Sequence, residues 1–418
     1  MTTSGAPGGF RPAPSLSRCV AVDPRTFADK YWGRQALLSR AGELGGAGFA
    51  DLLSLDDVDE LLSTRGLRTP FLRVARDGVV QPAAAFTGGG GAGAEIADQV
   101  LDEKILSLYA DGCTLVLQGL HRLWPPLVDF AGALAAELGQ PVQVNGYLTP
   151  AGNRGFATHY DTHDVFVLQV AGRKRWKVHD PVLVDPLDRH GWGGRAGEVA
   201  ATASGPPVLD AVLAPGDALY LPRGYLHAAD AQEDVSLHLT FGVRAFTRYS
   251  LVEALLAEAA EDPALRTTLP MGLDLASADA LGPELAETIA ALKARLDRAD
   301  PADVADRLRR RWWPSHRPAP IRPLAQAAAI DRLSTGARVM ARPGLRWRLV
   351  PAGDEVTLLA FDRTLTLPGY CADAVRTALA GPPVPVGELP GLDPAGQLTL
   401  ARRLLREALL VPAVVPAP

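Results

Sequence analysis

Apolar residues in the middle of this chain gather in short runs rather than long helical stripes. Val165-Phe166-Val167-Leu168-Gln169-Val170 is a β-branched and apolar run that ends at Gly172. Arg173-Lys174-Arg175-Trp176-Lys177-Val178 alternates charged and apolar positions and stops at Asp180-Pro181. Together they predict a hairpin turning at Ala171-Gly172. Val212 to Pro222 reads as strand, tight turn, strand, with Pro215-Gly216-Asp217 supplying the turn. Val235 to Phe241 alternates again, and Gln143-Asn145-Tyr147 marks one face of a further strand. Many short strands punctuated by Gly and Pro predict a mainly β fold with α elements (α+β), built as a sandwich or barrel.

Helical patterns flank these strands. Short helices are expected between Phe27 and Leu62, and an amphipathic one from Leu123 to Leu138. Tyr249 to Glu261 and Pro283 to Arg298 read as helices, the second capped by Asp300-Pro301. The character changes again towards the end. Strands are expected at Arg338–Ala341 and Trp347–Val350, a hairpin from Glu355 to Leu367, and helices at Cys371–Leu379 and Gln397–Leu410.

Candidate chemistry sits among the strands. His159 and Asp161 are next-but-one neighbours, so on a strand or strand end both side chains enter the same cavity. A helix would send them to different faces. His227, inside Pro222-Arg223-Gly224-Tyr225-Leu226-His227, is far along the chain, a separation natural to a β-barrel. Two imidazoles and one carboxylate on one side of a metal leave its other positions open, and this donor set suits Fe(II) with a chelating co-substrate and O2. An H-x-D pair alone is common by chance, and the surrounding blocks decide the matter.

Those blocks are Asn145 to Pro150, Gly155 to Asp161, Phe166 to Trp176, Leu213 to Asp217, Pro222 to His227 and Ser236 to Thr240, spread over about residues 141–245. In this order they resemble the JmjC-type cupin 2-oxoglutarate/Fe(II) oxygenases, and within them the ribosomal oxygenase branch, whose members hydroxylate a histidyl or arginyl residue of a ribosomal protein. The resemblance implies a double-stranded β-helix, the cupin jelly roll. It implies that His159, Asp161 and His227 are the metal ligands and the catalytic centre. Lys174 matches the residue that pairs with the distal carboxylate of 2-oxoglutarate, and Asn145 a polar residue lining that pocket. Tyr147, on the same strand face as Asn145, is the weaker pocket candidate. Alternation supports Lys174, which shares a face with Trp176 and Val178 while Arg173, Arg175 and Lys177 point away. A dicarboxylate held in a barrel also needs a compensating cation.

The same resemblance divides the chain. Residues 1–14 are expected to be disordered and 15–247 to form the oxygenase domain with its helical lead-in. Residues 248–324 would be a helical dimerisation segment, implying a homodimer, and 325–418 a winged-helix-like domain. That last domain lacks a dense basic recognition helix, so direct DNA binding is not expected. The implied activity is hydroxylation of a protein side chain. The alternatives are the same chemistry on a peptide or small natural product, N-methyl-lysine demethylation, or a non-catalytic metal-binding cupin.

Composition narrows the rest. At 418 residues two or three domains are expected, and 47% apolar residues are enough for sizeable cores. Three scattered cysteines with no C-x-x-C exclude a cysteine zinc site and a disulfide framework, and point to the cytoplasm. No stretch reads as a signal peptide or membrane span. A net charge of −5 argues against general nucleic-acid binding, so Arg307–Arg311 with Trp312-Trp313 is read as a helix end packing its tryptophans. Gly88–Gly93 lacks the Lys-Ser/Thr of a phosphate loop and is read as a flexible surface loop. His163 and Asp164 are expected at the rim, and His238 in the core or lining the pocket. His121, His179, His190 and His316 are read as structural or exposed.

Overall fold

The computed structural model describes residues 15–76, 78–153 and 156–413; the expected disordered segment 1–14 lies outside them. The described residues up to Ala245 form one compact unit, and those from Phe246 onward a second.

Eleven strands carry the first unit's jelly roll: β1 (Leu37–Ser39), β2 (Leu72–Arg76), β3 (Val79–Val80), β4 (Thr114–Leu117), β5 (Val142–Thr149), β6 (Asp164–Ala171), β7 (Lys174–His179), β8 (Leu209–Leu213), β9 (Ala218–Leu221), β10 (Leu226–Ala231) and β11 (Ser236–Val243). The larger sheet runs β1-β9-β6-β11-β5-β4-β2-β3, and a smaller one runs β8-β7-β10. Every pairing is antiparallel.

The predicted hairpin at Ala171-Gly172 is not one. β6 pairs with β9 and β11, whereas β7 pairs with β8 and β10. The turn instead carries the chain from one sheet to the other, and Pro215-Gly216-Asp217 does the same between β8 and β9. Periodicity reveals a strand but not its partner, and in a jelly roll the partners are distant in sequence. Gly172 has φ +61°, and a Cβ there would lie 1.9 Å from the Val235 carbonyl oxygen. Gly172→Ala is therefore expected to cost more than ~1 kcal/mol, read as a lower midpoint in urea unfolding.

β6 is buried on both faces, which explains its unbroken apolar run. Phe166, Leu168 and Val170 face the outer core, while Val165 and Val167 meet Trp176, Val178 and Leu213 between the sheets. Helix α1 (Pro125–Leu138) covers the outside of the large sheet. Pro125 starts it at N1 and Gly139, at φ +66°, ends it. Its stripe Leu127, Phe130, Ala131 and Leu134 is buried, with Phe130 edge-on to Phe241 at 5.2 Å. Each of the larger side chains contributes about 1.5–3 kcal/mol of burial. The Gly88–Gly93 run is not a plain loop: it caps the two-stranded pairing of Thr87–Gly88 with Gln99–Val100, and Gly90 N–H donates to Ile96 O.

The second unit begins with α2 (Arg248–Ala259), α3 (Ala278–Leu296) and α4 (Pro301–Trp312). Asp300 does not close α3. It opens α4, its carboxylate accepting from Ala302 N at 2.8 Å ahead of Pro301 at N1. Trp313 is buried at the end of α4, with Arg309 stacked over it at 5.0 Å, and Arg346 lies 4.1 Å over Trp312. Arg309 and Arg310 also pair with Asp306, so the basic run is engaged within its own unit. Further on come the hairpin Glu355–Ala360/Arg363–Pro368 and the helices Ala372–Ala380 and Pro394–Arg406. The last helix is shorter than expected: Leu410–Pro412 leaves it to pair with Arg338–Ala341.

Candidate metal centre

The three predicted ligands converge. His159 stands just before β6 and forms a bridge with His227 on β10. Each backbone N–H donates to the other's carbonyl, at 3.2 and 2.8 Å. Such a reciprocal pair puts both side chains on the same side. Asp161 follows on that side, its carbonyl held by Gly224 N–H at 2.9 Å. One donor atom from each of the three residues lies within 4.8 Å of the others. His227 Nε2 is 3.7 Å from Asp161 Oδ2, and the imidazole centroids are 4.5 Å apart.

Both rings are oriented through their other nitrogen. His159 Nδ1 lies 2.7 Å from Ala157 O and His227 Nδ1 lies 3.1 Å from Tyr225 O. A carbonyl only accepts, so each Nδ1 carries a proton, which leaves Nε2 as the nitrogen a metal would take. Burial, reinforced by His159, pushes His227 down to about 4, which keeps it neutral at neutral pH. Burial opposes the charge on Asp161, but His163, His227 and His159 together outweigh it and hold the carboxyl below its usual range.

From His227 the ring of Trp176, 6.0 Å away, leads to Lys174, two residues earlier on the inner face of β7, where exposed and buried positions alternate. Lys174 is 3% exposed, and its Nζ donates to Thr149 Oγ1 at 2.9 Å. No salt bridge among the described residues engages it. Burial pulls it down to about 7, only partly offset by Asp230. Nearby, His238 stacks on Tyr147 at 4.9 Å and meets Trp176 edge-on at 5.4 Å. Trp176 Nε1 and His238 Nδ1 are buried without a hydrogen-bond partner. A buried cation and two orphaned polar atoms on neighbouring side chains fit an anionic, hydrogen-bonding co-substrate. Asn145 and Tyr147 share the inner face of β5 with Thr149, and Asn145 Oδ1 accepts from Gly119 N at 3.2 Å.

Other histidines divide by role. His163 sits beside Gln143, 3.3 Å between their nitrogens, and outside the ligand set. His121 Nδ1 accepts from Val144 N, a structural contact. Asp164 is not a rim residue: it is fully buried, accepting from Tyr220 Oη and Arg223 N, both at 2.9 Å. It ties the start of β6 to the turn that delivers His227. Nothing local in the sequence marks this, because both partners lie far along the chain.

Residues 129–251 match the family model described as JmjC domain. This stretch of the chain carries a JmjC domain, folded as a cupin jelly roll. The proteins the chain resembles over longer stretches include ribosomal oxygenases. It is 29% identical to rat Ribosomal oxygenase 1 over 98% of this chain and 74% of the rat protein. It is 32% identical to the Drosophila grimshawi bifunctional lysine-specific demethylase and histidyl-hydroxylase NO66, over 63% of this chain and 37% of that protein. The Escherichia coli ribosomal oxygenase YcfD, solved with cobalt and 2-oxoglutarate, superposes with a TM-score of 0.51 at 16% identity, covering 94% of this chain and 99% of YcfD. The chain spans 66% of human Ribosomal oxygenase 1 and 40% of the chicken protein.

Proposed function

We propose that this protein hydroxylates a histidyl or arginyl side chain of a ribosomal protein, using Fe(II), 2-oxoglutarate and O2. The observation that carries this reading is the convergent His159–Asp161–His227 set with buried Lys174 beyond Trp176, a lysine that makes no salt bridge among the described residues. The three ligands would hold the iron by one face. Lys174 would receive the distal carboxylate of 2-oxoglutarate, with Thr149 fixing its ammonium and Asn145 and Tyr147 lining the pocket. When bound, iron supplies the redox chemistry that couples decarboxylation of the co-substrate to hydroxylation. The chain's own contribution is geometry: Ala157 O and Tyr225 O set the imidazoles, and the apolar walls Val165, Val167 and Trp176 limit water. The test is intact-mass comparison of ribosomal proteins from cells with and without this gene. One protein heavier by a single oxygen atom only when the gene is present supports the reading. An unchanged set removes ribosomal proteins as the target, and formaldehyde release would turn the assignment to demethylation.

The reading extends to a cytoplasmic homodimer. The three cysteines are buried and none is in a disulfide, and no helix of the described residues is long and apolar enough to cross a membrane. Leu285, Ile289 and Leu296 leave an exposed apolar stripe along α3, at helical spacing. Ile289→Glu is expected to shift the protein from dimer to monomer in light scattering, and an unchanged mass would remove this surface from the interface. The winged-helix-like domain, residues 325–418, is assigned a structural or protein-contact role.

A further inference from the structure

A cation at the mouth of the site is left unused by this scheme. On the large sheet Arg73 lies opposite Val116, Val116 opposite Tyr147, and Tyr147 opposite His238. Residues directly across neighbouring strands share a face, so Arg73 stands on the same inner rung as the pocket residues. Its guanidinium lies 5.8 Å over the Phe156 ring. Phe156 in turn is 6.3 Å from Tyr147 and 6.1 Å from His159. Among the described residues Arg73 makes no salt bridge, and its Nε is buried with no hydrogen-bond partner. A half-buried guanidinium whose Nε has no partner, this close to a metal centre, is costly unless something in the working complex accepts that hydrogen bond. On the other side of His159 the ring of Trp192, 39% exposed, lies 6.3 Å away. Around His159 the described residues thus present two aromatic faces and one cation that makes no salt bridge. Asp161, the acid that shares this entrance, is itself a candidate ligand.

We propose that Arg73 is a specificity-determining residue: it donates to an acceptor oxygen or nitrogen on a neutral or anionic substrate group, and it repels cationic side chains. This rests on the oxygenase reading above and narrows it. A guanidinium or ammonium substrate would face Arg73 with no free carboxylate to balance it, whereas a neutral planar group can lie between Phe156 and Trp192 and accept from Arg73.

The test uses the full chain loaded with Mn(II) and 2-oxoglutarate without oxygen, so that no turnover occurs. The probes are the Nα-acetyl methylamides of histidine, asparagine and arginine at a pH where the imidazole is neutral. Paramagnetic broadening of each probe's side-chain NMR signals reports its approach to the metal. The unsubstituted chain is expected to broaden the histidine and asparagine probes at least about tenfold more than the arginine probe. Arg73→Glu reverses that order. Arg73→Met removes the discrimination, and Arg73→Lys keeps the rejection of arginine while weakening the neutral probes. Equal broadening of all three probes by the unsubstituted chain overturns the proposal, as does an order unchanged in Arg73→Glu and Arg73→Met, or no broadening at all. Loss of the free-manganese resonance on mixing reports metal uptake separately. Its failure in the unsubstituted chain would sink the metal assignment, and the Arg73 subsite with it.

Discussion

Replacing His227 with alanine is expected to abolish tight metal binding and, with it, all consumption of 2-oxoglutarate. His227 supplies one of three protein donors, and its backbone also holds His159 in place through the paired hydrogen bonds at 3.2 and 2.8 Å. Alanine keeps the backbone bridge and removes only the imidazole, so the loss isolates the ligand. Disturbing groups merely behind a ligand costs roughly 10- to 100-fold in metal affinity or activity, and removing the ligand should cost more. Metal titration, followed by 2-oxoglutarate turnover at saturating metal, checks this. A variant that binds metal within threefold of the unsubstituted chain would take His227 out of the coordination set. Protonation offers a second view of the same group. The folded pKa of His227 is about 4, so at this ligand metal meets competition from protons only in acid.

Lys174→Met is expected to weaken 2-oxoglutarate binding by about 2–5 kcal/mol, roughly thirtyfold to several thousandfold, while metal affinity changes little. The distal carboxylate would lose its only buried cation and be left in an apolar wall. Without co-substrate the same substitution should stabilise the protein, because it removes a buried ammonium that lacks a salt bridge. The pH dependence follows from the depressed folded value of about 7 against 10.5 for the free side chain. Between these values the unfolded chain holds more protons at Lys174 than the folded one. The buried-charge penalty is therefore complete below about pH 7 and relieved as pH rises towards 10.5. A bound dicarboxylate favours the charged amine, so co-substrate binding above pH 7 should take up a proton. Calorimetry in two buffers of different ionisation enthalpy would read that uptake. Equal heats in both, or unchanged 2-oxoglutarate affinity in Lys174→Met, would remove Lys174 from the pocket.

The parts of the site legible in the sequence are those governed by period two. Alternation from Arg173 to Val178 is enough to turn Lys174 inward, and the H-x-D spacing is enough to place His159 and Asp161 on one side. Strand pairing was not legible in this way. The turn at Ala171-Gly172 looks local, yet it joins strands of different sheets, because cross-strand partners are chosen by the whole core. Asp164 was hidden for the same reason: beside a histidine and before a strand it reads as a solvated turn residue, and only Tyr220 and Arg223 make it a buried pin. Arg73 gave no signal at all. It enters the site from a strand near the start of the chain, and only the rung Arg73–Val116–Tyr147–His238 brings it there.

The stitched backbones of His159 and His227 have a further consequence. Since neighbouring peptide groups, not the ion, set the spacing of two donors, the chelate is assembled ahead of its cargo. Loading and stripping should then leave circular dichroism unchanged, and one purified batch could be refilled with different divalent ions without passing through an unfolded state.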